Sequence, residues 1–184
     1  MSKNIICGNS LIGMDILNSD LFSNGDTEKS LNPMNFEDVF KDVMRNGGFD
    51  AIVGNPPYVF TRDVEFQDSF KKYIDSNYFS GDKSISKSHA RQSGKVNLYA
   101  VFLMKSIHLL REGGLFSFII PNNLLRTTTY DVIRKFILDN CKIIKIVDMG
   151  TGVFEGVTAS TIILVLQKES DKTSIPWTRL YSGY

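Results

Sequence analysis

Short unbroken apolar runs and apolar positions at helical spacing take turns along this 184-residue chain. Ile5-Ile6-Cys7 ends at Gly8-Asn9-Ser10 and predicts a strand running into a turn. Residues 18–34, rich in Asn, Ser, Asp and Gly, read as loop. Phe36, Val39, Phe40, Val43 and Met44 then fall at i, i+3, i+4, i+7 and i+8, one face of an amphipathic helix. Asn35 suits its N-cap, and Gly47-Gly48 stops it. Phe49 to Gly54 predicts a short buried strand. Phe66, Phe70, Tyr73 and Ile74 mark another helix, followed by a polar loop over 80–95. A long apolar helix is expected from near Asn97 to about Arg111, with Lys105, His108 and Glu112 as its narrow polar stripe. Gly113-Gly114 is expected to close it before a buried strand, Leu115 to Ile120. Val132, Ile133, Phe136 and Ile137 mark the next helix, capped by Thr128 or Thr129. Lys142 to Val147 and Thr161 to Gln167 are the last strands.

Strands alternating with helices predict an α/β sheet with parallel crossovers. The short separation of the last two strands permits an antiparallel pair at one edge. One domain is expected over 1–168, with 169–184 a tail or the start of a linker. The charge balance is even, 21 Lys and Arg against 20 Asp and Glu, so nucleic-acid binding would need a local patch. Lys83 to Lys95 is such a stretch: Lys83, Lys87, His89, Arg91 and Lys95 are unaccompanied by any acid. It reads either as a phosphate-contacting loop or as a solvated one. Two cysteines exclude a disulfide scaffold and read as free thiols in a reducing cytoplasm. No run is long enough to span a bilayer, and no His, Cys and Asp cluster has metal-ligand spacing.

Asn55-Pro56-Pro57-Tyr58 carries the strongest chemical signal. It follows a strand of an α/β sheet, where ligands gather. Neither proline offers an N–H and both fix φ, so the backbone is stiff and presents carbonyls. The Pro56 carbonyl beside the Asn55 side-chain oxygen makes a pair of acceptors suited to an NH₂ group, and Tyr58 adds a flat ring. A rigid turn of purely structural purpose is the alternative.

With Phe49 to Gly54 before it, this segment resembles the catalytic motif of S-adenosylmethionine-dependent amino-methyltransferases. Asn97-Leu98-Tyr99 opening a helix that ends Leu110-Arg111-Glu112-Gly113-Gly114, and Gly152-Val153-Phe154 followed by Thr158-Ala159-Ser160-Thr161, narrow the likeness. Together these pieces resemble the gamma class of DNA adenine-N6 methyltransferases of restriction–modification enzymes, in the family's order from Ile5 to Lys168. The resemblance implies the C-terminal part of a Rossmann-like sheet, S-adenosylmethionine as cofactor, double-stranded DNA as partner and no metal. It implies that Asn55 and Pro56 accept the N–H bonds of a flipped adenine, with Tyr58 and Phe154 on its two faces. Asn9 and Ser10 match positions near the cofactor's adenine, where many members carry Asp; a plain turn is the alternative for Asn9. Lys83, Lys87, Arg91 and Lys95 of the basic stretch are the candidate DNA contacts, with a solvated loop as the alternative.

Gly150-Thr151-Gly152 resembles a cofactor-binding turn but is rejected as one. Only Val153 to Ser160 separates it from the next strand, too short for a crossover of about 10 residues or more. The resemblance also implies that the family's glycine-rich cofactor motif lies upstream of Ile5. The chain is therefore expected to be the catalytic half of a larger enzyme, inactive alone, whose remainder supplies the cofactor cradle and target recognition. A protein-glutamine N5 methyltransferase, which uses the same tetrapeptide on an amide, and a non-catalytic DNA-binding module are the competing readings.

Overall fold

A computed structural model describes residues 5–18, 31–60, 67–79, 97–153 and 159–169. Among these, β1 (Phe49–Gly54), β2 (Leu110–Pro121), β3 (Cys141–Gly150) and β4 (Thr161–Lys168) form one sheet in the order β1-β2-β4-β3. β1 and β2 are parallel, whereas β4 is antiparallel to both β2 and β3. β1, β2 and β3 therefore run the same way, and the reversed β4 lies between β2 and β3. The expected α/β sheet with an antiparallel edge pair is present, and the carboxyl ends of β1, β2 and β3 share one rim.

The helices are α1 (Phe36–Val39), α2 (Lys41–Arg45), α3 (Gln67–Ile74), which continues into a π turn at Asp75–Phe79, α4 (Leu98–Leu109) and α5 (Asp131–Asn140). α4 starts where expected because the Asn97 side-chain oxygen accepts from the Tyr99 amide at 3.3 Å, satisfying one open donor of the first turn. Its apolar side chains join Phe116, Phe118 and Ile120 of β2, Ile162, Leu164 and Leu166 of β4, and Ile133 and Ile137 of α5 in one core. Phe116 and Phe118 meet with centroids 4.2 Å apart.

Several expectations are corrected. The long helix ends at Leu109, and Gly113-Gly114 belongs to β2. Leu110 pairs with Phe49 and Leu115 with Ala51, so Asp50 alone faces the excursion Arg111–Gly114. Gly113 takes φ +74°, and a Cβ on Gly114 would lie 2.8 Å from the Arg111 oxygen and 3.0 Å from that of Phe49. These glycines thus serve a bulge. Arg111 closes it with an ion pair to Asp50 at 2.6 Å. Lys168 instead finishes α4, its ammonium donating to the Leu110 oxygen at 2.5 Å, as favoured at a helix carboxyl end.

The helix expected over 36–44 breaks at Phe40, whose ring meets Phe36 at 5.9 Å and Phe49 at 5.3 Å. No residue of α1 or α2 is fully buried, and short helices without a buried face gain little from packing. Gly47 and Gly48 do end this segment, with φ of +94° and +123°. Ile5-Ile6-Cys7 forms no strand: Ile5 is 84% exposed, and only the isolated bridge of Asn9 with Pro33 follows. β1 is not buried but lies at the sheet's edge with Val53 81% exposed, since among described residues only β2 flanks it. Neither Thr128 nor Thr129 caps α5. They form a 3₁₀ turn, and the N-cap, Tyr130, makes no side-chain capping bond.

Candidate active site at the carboxyl end of β1

β1 delivers Asn55 to the rim of the sheet. Gly54 lets the chain pass against Phe118, since a Cβ there would lie 2.9 Å from that ring. Asn55 and Pro57 are exposed, Pro56 is buried and Tyr58 is half-buried. The Tyr58 hydroxyl donates to the Ile119 carbonyl at 3.0 Å, and its ring meets Tyr99 edge-on at 6.4 Å. Burial raises the pKa of this hydroxyl, keeping it a neutral donor. The Leu98 amide donates to the Val59 oxygen at 2.7 Å, and Phe60 bridges Asn97. The tetrapeptide is thereby tied to both β2 and the start of α4.

Beside it lies a cleft of about 470 Å³, within the usual size of small-molecule sites. Ser10, Asn55, Pro56, Phe36, Phe102 and Lys105 are among its lining residues. The structure thus brings Ser10 and Asn55, distant in sequence, to one cavity. Asn9 is not in that lining: its side-chain oxygen accepts from the Leu11 amide at 3.2 Å, closing its own turn. Lys105, expected on the narrow polar stripe of this helix, holds its ammonium 5.5 Å from the Phe36 ring centroid, over the ring, at the cleft wall. The signal was there, a lone cation within an otherwise apolar helix.

The turn carrying Ser10 is held from α3 and the π turn after it. The Tyr73 hydroxyl accepts from the Gly13 amide at 2.9 Å and donates to Asp15 at 2.8 Å. Tyr78 donates to the Leu11 oxygen at 3.0 Å. Burial, more than any other influence, pushes the Tyr73 hydroxyl from 10.0 up to about 12. A raised folded-state value means that the stabilisation is complete below the unfolded value and lost as pH rises from about 10 through about 12. A spectrophotometric titration at 295 nm is expected to show several tyrosines ionising late, since burial raises Tyr58, Tyr78 and Tyr99 as well, and Tyr73→Phe is expected to remove one tyrosine's amplitude near pH 12. An unchanged titration curve in the variant would contradict the assignment.

The rim beyond β2 is more tightly organised than its polar sequence suggests. Tyr99 donates to the Asn123 side-chain oxygen at 2.7 Å, and Asn122 donates its amide to the Ser160 oxygen at 2.9 Å. Arg134 of α5 reaches back to the Leu124 and Thr127 carbonyls at 2.6 and 2.9 Å. Gly150 and Gly152 take positive φ at the end of β3, whose sheet neighbour β4 is antiparallel. That geometry is not a crossover, as the short separation of the two strands predicts. Phe154, Lys83, Lys87, Arg91 and Lys95 lie outside the described residues. Among the described residues no group of three His, Cys, Asp or Glu could hold a metal ion, and no helix is long and apolar enough to cross a membrane.

The type II restriction enzyme and methyltransferase RM.Eco57I of Escherichia coli is 30% identical over 178 residues, 92% of this chain and 15% of that protein. The type II methyltransferase M.BanIII of Aneurinibacillus aneurinilyticus is 34% identical over 128 residues, 69% of this chain and 20% of that protein. The chain thus spans a fifth or less of the length of these two relatives. In fold it is similar to the type IIL restriction-modification enzyme MmeI, solved in complex with DNA. The TM-score is 0.51 at 20% identity, over 76% of this chain and 17% of that one. The type ISP enzyme LlaGI also gives a TM-score of 0.51, at 19% identity over 79% of this chain and 14% of that one. Residues 3–154 match the Eco57I restriction-modification methylase family, and the chain belongs to that family.

Proposed function

We propose that this chain carries the catalytic segment of a DNA adenine-N6 methyltransferase of a restriction–modification system, working in the cytoplasm. The carrying observation is an exposed Asn55 and a buried Pro56 lining one cleft with Ser10, at the carboxyl end of a strand. In this reading the Asn55 side-chain oxygen and the Pro56 carbonyl accept the two N–H bonds of the target amine. That favours a pyramidal nitrogen with an available lone pair. The proline ring constraints keep the acceptors from reorganising, so catalysis rests on positioning and polarisation. Cys141 is no nucleophile in this reading: burial pushes its thiol up to about 12, far from a thiolate at neutral pH. Tyr58 and Phe154 hold the flipped base between them, and Lys83, Lys87, Arg91 and Lys95 contact the DNA backbone.

S-adenosylmethionine supplies an activated methyl group. The cleft's aromatic walls and the Ser10 hydroxyl suit a flat, polar-edged ring such as its adenine, with Asn9 positioned next to Ser10. The reading includes further polypeptide that completes the cofactor cradle and reads the DNA sequence. Its support is the greater length of the relatives and the edge position of β1 among the described strands. The domain spans 1–168, with 169–184 leading onward.

The decisive assay supplies the full-length protein with methyl-labelled S-adenosylmethionine and unmodified plasmid DNA, then digests the DNA to nucleosides. Label in N6-methyldeoxyadenosine is the expected result. Label in a protein substrate at glutamine would favour the protein methyltransferase. DNA retention without any label would favour the binding module.

A further inference from the structure

Tyr99, the second residue of α4, is fully buried in the core and carries a polar hydroxyl into it. Its ring meets Tyr58 edge-on at 6.4 Å on one side and Tyr130 at 5.5 Å on another. Its hydroxyl donates to Asn123, and the Asn123 main-chain oxygen accepts from the Arg126 and Thr127 amides. Arg134 braces the same loop at Leu124 and Thr127. One side chain therefore joins the tetrapeptide after β1, the loop after β2 and the first turn of α4. A buried hydroxyl is costly to leave unpaired, so this bond sets the angle of the Tyr99 ring as well as satisfying a donor.

We infer that Tyr99 is a positioning residue: clamped by Asn123 and Tyr130, it fixes the orientation of the Tyr58 ring beside Asn55. The inference rests on the proposed function only in giving Tyr58 a face of the target base. The restraints on the Tyr58 ring include the hydroxyl bond to Ile119, the edge contact with Tyr99 and packing against the core. Disturbing the edge contact lets the ring shift from the angle it takes beside Tyr99. A displacement of about 1 Å in such a site is enough to cost on the order of a hundredfold in rate.

The test combines a kinetic and a spectroscopic readout on the full-length protein. With plasmid DNA as substrate, Tyr99→Phe is expected to lower kcat about tenfold and Tyr99→Leu about a hundredfold, with KM for S-adenosylmethionine unchanged. Asn123→Ala should match Tyr99→Phe, and the double variant should lose no more than either alone. In a Tyr58→Leu background, Tyr99→Phe should have no further effect on kcat. In parallel, fluorotyrosine is incorporated and the Tyr58 ¹⁹F resonance is assigned by its disappearance in Tyr58→Phe. That resonance is expected to shift or broaden in Tyr99→Phe. An unmoved Tyr58 resonance overturns the inference whatever the kinetics. So does a melting temperature lowered with kcat intact, which marks a purely structural tyrosine. If the wild-type protein transfers no methyl group, the proposed function falls, and the resonance alone decides whether Tyr99 sets the Tyr58 ring.

Discussion

Asn55→Ala is expected to lower kcat for methyl transfer by at least about 10²-fold, the usual loss when one preorganised polar partner of a reacting group is removed. KM for S-adenosylmethionine should stay nearly constant, because the lost contact is to the target amine. Asn55 is exposed and lies outside helix and strand, so its melting temperature should hold within the small range of surface substitutions. Asn55→Asp keeps an acceptor but places a negative charge where a neutral oxygen stood. It should retain more activity than Asn55→Ala and show a steeper dependence on acid pH as the carboxylate titrates. Nucleoside analysis of methylated plasmid gives kcat directly for each variant. A kcat for Asn55→Ala within twofold of the parent would remove this residue from the mechanism and return the tetrapeptide to a structural turn.

Phe116→Ala is expected to destabilise the protein by about 3–5 kcal/mol, the range for emptying a fully buried aromatic site. Phe116 is 0% exposed, sits in the middle of β2 opposite Ile52 on one side and Leu166 on the other, and packs on Phe118. Its neighbour in sequence makes the control. Leu115 is 47% exposed and points away from that core, so Leu115→Ala should cost no more than about 1 kcal/mol. Urea unfolding followed by circular dichroism separates the two through their midpoints. Equal midpoint shifts would contradict the assignment of β2's buried face. The expected loss is a large share of the about 5–15 kcal/mol that ordinarily holds a domain together.

The β1 strand, the glycine stop at 47–48, the Asn97 cap and the strand-end position of the tetrapeptide were all legible in residue order. Each depends on groups within a few residues of one another: periodic apolar side chains, a side-chain oxygen above its own helix, a residue free to take positive φ. Gly113-Gly114 shows where that stops. A helix stop and a β-bulge both make use of glycine's access to positive φ, and only the pairing of Leu110 with Phe49 tells them apart. Ile5-Ile6-Cys7 has strand-like residues but no described strand to pair with, so its composition could not make it one.

The candidate site divides in the same way. Residue order alone picked out Asn55, Pro56, Pro57 and Tyr58, because their stiffness and acceptor groups are properties of the residues themselves. It could not show that Ser10 lines the cleft while Asn9 closes its own turn, nor that Lys105 borders the cleft. It gave no hint that Tyr99 ties Tyr58 to Asn123. Those relations join segments separated by tens of residues, and they exist only once β1, β2 and α4 have packed. Local covalent chemistry thus determined which groups can act and where elements begin. Burial and long-range pairing, which depend on neighbours the chain order does not reveal, decided which of those groups meet.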